Sequence, residues 1–168
     1  MAATIEVRSA HGGSAGSPAS QASVSTVRFK FADNDTADTS NPLVRPTSGN
    51  NYSYEKAIKL QVTVAPDNNL TNLRFHRSSG TPSTGITDFY GEQSQSTGYT
   101  VPTGGSTSQS TIATTSMPTS ATVLTNDNAT FTGTGQYGPW IYLQWRIGTT
   151  ASAGNQTTLT YRFTFDEA

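Results

Sequence analysis

The chain has 168 residues, only 12% of them charged, and its ten Lys and Arg nearly cancel its eleven Asp and Glu. That length suits one domain, 1–168, with a single core, and so balanced a charge gives no field favouring nucleic acid or an anionic membrane. With no cysteine, a disulfide framework and a thiolate metal site are both excluded, and stability must come from packing.

In chain order, "TIEVR" reads as a first strand, and MAATIEVRSA lacks an apolar stretch of signal-peptide length. No run approaches the roughly 20 apolar residues of a membrane span, so the chain is expected to be made in the cytosol. Residues 9–24, SAHGGSAGSPASQASV, are small and polar, which suits a long surface loop or an arm ordered only against a partner. In VRFKF, Val27, Phe29 and Phe31 alternate with Arg28 and Lys30, predicting a strand with one wet face. IKLQVTV repeats the pattern with Ile58, Leu60, Val62 and Val64 against Lys59, Gln61 and Thr63. LRFH sets Leu73 and Phe75 inward and Arg74 and His76 outward.

Short strands are expected within 84–91, 98–101 and 121–132, and residues 92–120 form a second long loop or arm. The closing segment holds two alternating runs around a small-residue loop. Ile141, Leu143, Trp145 and Ile147 face the core beside Leu159, Tyr161, Phe163 and Phe165. One register of that pair would set Gln144 beside Arg162 and Trp140 beside Asp166; a shift of two residues keeps the faces and changes the partners. Alternation dominates and no helical period competes, so the fold class is all-β: an antiparallel β-sandwich of about seven to nine strands.

Several motifs suggest chemistry without the context it needs. GGSAG has nucleophile-elbow spacing through Gly12, Ser14 and Gly16, but Pro18 follows where a helix should begin, and His11 and His76 are the only histidines. GTGQYG matches a dinucleotide fingerprint at Gly133, Gly135 and Gly138, yet Pro139 and Trp140 open a strand in place of a helix, so a tight connection is the plainer reading. Asp33, Asp35 and Asp38 could gather calcium, but counted from Asp33 the EF-hand template fails at Ala37, Asp38 and Val44. Asx-type turns explain the same aspartates, with Pro42 and Pro46 keeping the segment extended. A glycosidase-like pair could be drawn from Asp88, Glu92, Asp166 and Glu167, but nothing selects two of them.

His76 beside Arg74 and Arg77 suits a solvated strand edge, or an anion or partner contact. Tyr52, Tyr54, Tyr90, Tyr99, Tyr137 and Trp140 are ordinary half-buried surface, or a platform for sugars or an interface. Five Asn-x-Ser/Thr triplets, at Asn34, Asn51, Asn69, Asn128 and Asn155, are expected by chance in a chain so rich in hydroxyl residues. No residue is assigned a catalytic, cofactor or metal role.

Three stretches carry a resemblance: VRFKFADNDTADTSNPLVRPTSGNNYSYEKAIKLQVT, NLTNLRFHRSSG and LQWRIGTTASAGNQTTLTYRFTFDEA. The features that carry it are a strand ending in an F-A-D-N turn, a Pro-bearing loop, N-Y-S-Y before a strand, N-L-R-F in the next, and a terminal hairpin whose loop reads G-T-x-A-x-x-G before L-T-x-R-F-x-x-D-E. Together they cover well over half the chain, and they resemble small β-sandwich structural proteins of tailed bacteriophages, of the head decoration or minor capsid type. The resemblance implies an immunoglobulin-like or jelly-roll sandwich, a place in the virion, and binding to the major capsid protein or another virion protein in symmetric copies. It brings no catalytic residue and no cofactor. A neck or tail position and a carbohydrate-binding or adhesive β-sandwich are the competing expectations.

Overall fold

The computed structural model describes residues 3–37, 39–127, 130–154 and 156–167, and every regular element among them is a strand. The ten strands are β1 (Thr4–His11), β2 (Ser20–Ser23), β3 (Asn50–Tyr52), β4 (Lys56–Val64), β5 (Leu70–Ser79), β6 (Ile86–Gln93), β7 (Thr115–Ser116), β8 (Thr122–Val123), β9 (Trp140–Gly148) and β10 (Thr160–Glu167). The count exceeds the expected seven to nine because β7 and β8 are two-residue pairings. No helix among the described residues is long and apolar enough to cross a membrane.

The architecture is an antiparallel β-sandwich. One sheet runs β2-β1-β4-β9-β6-β7, with β3 also on β9, and the other runs β10-β5-β8. Between them lie Ile58, Leu60 and Val62 of β4, Leu73 and Phe75 of β5, and Ile141 and Leu143 of β9, all buried. These are the faces that alternation predicts, because successive side chains of a strand point to opposite sides.

Four expectations fail. VRFKF joins no ladder and bends at Lys30 and Phe31: Phe31 N–H donates to the Asn41 carbonyl and Tyr54 N–H to the Lys30 carbonyl, at 2.8 and 3.0 Å. Val27 and Phe29 still pack on the interior, where Phe29 stacks on Trp145 at 4.6 Å. Lys30, expected to be wet, is buried, with its ammonium donating to the Thr36 carbonyl at 3.0 Å. Nor do the last two runs form a hairpin. β9 pairs with β3, β4 and β6, whereas β10 pairs with β5 in the other sheet. Their apolar sides therefore meet across the sandwich, and Gln144–Arg162 and Trp140–Asp166 are not neighbours. Finally, residues 98–101 form no strand.

The long polar segments are ordered by the sheet itself. Residues 12–19 close a hairpin between β1 and β2. The stretch between β6 and β7 lies over the outer face of the large sheet, where Tyr99 and Ala113 join Ala10, Ala57, Phe89, Trp140 and Tyr142 in a second core. β9 is consequently buried on both faces along most of its length.

Candidate functional site

Beside the sandwich interior, β1 and β4 present Ser9, His11 and Lys56 towards the 31–37 loop, which brings Asp33 and Asp35 onto them. His11 Nε2 lies 3.1 Å from Asp35 Oδ2, and Nδ1 lies 3.4 Å from Asp33 Oδ1. Ser9 donates its hydroxyl hydrogen to Asp35 at 2.7 Å, and Gly12 N–H donates to Asp33 at 2.6 Å. The Lys56 ammonium, fully buried, donates to the carbonyls of Ala32 and Asn34 at 2.8 and 2.9 Å. Thr36 N–H donates to Asn34 Oδ1 at 3.0 Å, a local Asx turn.

Asp33 and Asp35 thus turn the chain and tie it to β1. Asp38 lies outside the described residues, and among those residues no three His, Asp or Glu side chains are arranged to hold a metal ion.

Electrostatics decide what this cluster can do. Hydrogen bonds to Asp33 and then Asp35 raise His11 from 6.5 to about 9, against the cost of burial. For Asp35, burial pushes upward, but hydrogen bonds from His11 and Ser9 outweigh it and hold the carboxyl low. Burial brings Lys56 down to about 8, with Asp35 and Asp33 opposing. At neutral pH the imidazole is therefore a cation held between two carboxylates. Ser9 Oγ lies 3.2 Å from His11 Nε2, which looks like a nucleophile beside its base. A protonated ring cannot take the hydroxyl proton, Ser9 points that proton at Asp35, and the serine is buried. The cluster acts as a staple.

The other predicted site residues are dispersed. Asp88 binds Arg77 at 2.6 Å. Glu92 accepts from Thr125 N–H at 2.8 Å and Asn126 N–H at 3.2 Å. Asp166 takes a two-pronged contact from Arg74, both bonds 2.8 Å, and Glu167 stands opposite Leu70 at the end of β10. Each carboxylate has its own place, so no pair faces a common substrate position.

Tyr52, Tyr99 and Trp140 are buried, which corrects their reading as half-buried surface or an open platform. Tyr137 and Trp140 instead hold the Lys59 ammonium 3.8 and 4.2 Å from their ring centres. In the serine-elbow stretch, Ser14 and Ser17 bridge each other within the β1–β2 hairpin. Of the three glycines in the dinucleotide-like stretch, Gly135 and Gly138 donate N–H groups to Val62 and Leu60 of β4 at 2.8 and 3.0 Å.

Alternation alone did not reveal Glu55, Gln144 and the Arg77–Asp88 pair. Glu55 is buried and accepts from Ser110 Oγ, from Ala113 N–H at 3.3 Å and from Thr103 N–H at 3.2 Å, while burial raises its carboxyl. Gln144 accepts from Ser110 N–H at 3.0 Å and donates to the Ser53 carbonyl at 2.9 Å. Both sit among polar and small neighbours that hold the 103–113 stretch onto the sheet. Between the sheets, a cavity of about 1030 Å³ is bordered by Phe29, Ile58, Leu143, Trp145, Tyr161 and Phe163.

No family model matches the chain, and neither a curated protein nor a solved structure matches it.

Proposed function

We propose that this chain is a structural protein of a tailed-phage particle, acting by binding and not by chemistry, in a head decoration or minor capsid position. The observation that carries the reading is the resemblance of three stretches to such proteins. In the fold those stretches supply β3, β4, β5, the larger part of β9 and β10, among them the central strands of both sheets. The polar chemistry supports the same reading. His11, Lys56, Glu55, Gln144 and Asp88 are spent on fastening loops and sheets together. A protein of this kind stabilises a shell by mass action, because it binds the assembled state and not the dispersed subunits. The repeated symmetry of a shell gives it many equivalent sites.

A neck or tail position rests on the same resemblance. The carbohydrate-binding alternative loses three of its six rings, because Tyr52, Tyr99 and Trp140 are buried, and keeps the half-buried Tyr54, Tyr90 and Tyr137. The test is rebinding: purified protein added to particles that lack it should saturate at a fixed ratio, with density on the head. Absence of binding to heads and tails alike, together with calcium-dependent binding in a glycan screen, would overturn the proposal in favour of the adhesive one.

A further inference from the structure

The edges of the two sheets are unequal. The large sheet ends in β2, of four residues, and β7, of two; the small sheet ends in β8, also of two, and in β10, of eight. Long edges with free N–H and C=O groups recruit further strands, and proteins usually shorten, cover or interrupt them. Among the described residues β10 ladders only with β5, and no other segment makes a backbone hydrogen bond to it. Its inward row, Tyr161, Phe163 and Phe165, is only half-buried, and Tyr161 and Phe163 border the cavity between the sheets. The sandwich is therefore unfinished along this edge.

The sequence of β10 indicates what completes it. Suppose two copies of β10 pair antiparallel about Thr164. Arg162 of each then stands opposite Asp166 of the other, and Phe163 opposite Phe165. Opposite charges and aromatic pairs directly across a ladder are the favourable combinations. A centre one residue either side removes the charge match, and a centre at Arg162 opposes two guanidiniums.

Arg162 is exposed and makes no ion pair among the described residues. Asp166 is already fixed by Arg74 and Asn72, so it offers an oriented carboxylate. Thr164 itself is half-buried and lies on the two-fold axis, with its Oγ1 covered within its own chain and without a hydrogen-bond partner.

We infer that β10 is a homotypic docking edge: two copies join their small sheets through β10 about Thr164, making one continuous six-stranded sheet and bringing Phe165 of each copy beside Phe163 of the other, next to the cavity. The contact is isologous, so it closes as a dimer and does not propagate. This inference does not rest on the virion reading.

The full chain is tested by sedimentation velocity over a concentration series, alone and as Arg162→Glu, which sets a carboxylate against Asp166 twice per dimer. A concentration-dependent dimer is expected, with a dissociation constant at least tenfold higher in Arg162→Glu and an unchanged circular dichroism spectrum. Since the chain has no cysteine, Thr164→Cys adds a single thiol. A short bis-maleimide should link it into dimers, whereas the exposed turn variant Thr134→Cys should stay monomeric. A monomer at every concentration, or a dimer that Arg162→Glu leaves intact and Thr164→Cys does not cross-link, would overturn the inference.

Discussion

Arg77 Nη1 stands 2.6 Å from Asp88 Oδ1, an ion pair that joins β5 of the small sheet to β6 of the large one through the interior. Its side chains are only 13% and 6% exposed, and Tyr161 donates its hydroxyl hydrogen to the other Asp88 oxygen at 3.3 Å. Removing one member of a buried pair leaves a desolvated charge without compensation, whereas removing both does not. Arg77→Leu should therefore cost about 3–5 kcal/mol in urea unfolding. The double variant Arg77→Leu with Asp88→Leu should be more stable than Arg77→Leu alone. Simple additivity of the two single changes would show the pair to be uncoupled.

The His11 staple makes stability depend on pH in a defined direction. Its pKa rises from 6.5 to about 9 on folding, so its contribution is complete below pH 6.5 and disappears as pH climbs through 9. Lys56 and Lys59, both brought by burial from 10.5 to about 8, act in the opposite sense and favour the fold as pH rises above 8. Comparison with His11→Gln isolates the histidine. The parent should lose stability relative to that variant by about 1.4 kcal/mol per pH unit between the two values, roughly 3 kcal/mol in all. Chemical denaturation at a series of pH values checks the slope, and parallel curves would refute it.

The Glu55 carboxylate fastens the 103–113 stretch through acceptor contacts only. In Glu55→Gln, one oxygen becomes an NH₂ group facing N–H donors, which leaves buried groups unpaired at about 1–3 kcal/mol each. Faster amide hydrogen exchange should appear within 103–113, with β4 and β9 still protected. Uniform loss of protection across the sheet would mean that Glu55 supports the whole fold instead of this loop.

Gly91 on β6 is required by proximity. A Cβ built there would lie 1.9 Å from the Ile112 carbonyl oxygen, a backbone atom that can yield only by moving the covering loop. Gly91→Ala is expected to lower stability by about 2 kcal/mol or more, in the range of overpacked sites. Thermal unfolding measures it, and a neutral result would show that the loop is loosely held there.

The period-two pattern by itself determined the all-β class and the core faces of β4, β5 and β9, because alternation fixes which side of a strand is apolar whichever strand lies beside it. It also contained Arg77, which follows Leu73 and Phe75 on the inward row, although a charge in that row signals nothing until its partner is known. Pairing was left to the tertiary structure. β10 is as able to lie beside β9 as beside β5, and the choice depends on which arrangement closes the interior over Trp145 and Phe75. The same holds for the polar sites. Asp33 and Asp35 announce a turn in the sequence, but His11 is 22 residues from Asp33, and only folding sets a cation between them. Interactions local in sequence are written in residue spacing, whereas those between distant segments arise from the order in which strands are laid side by side.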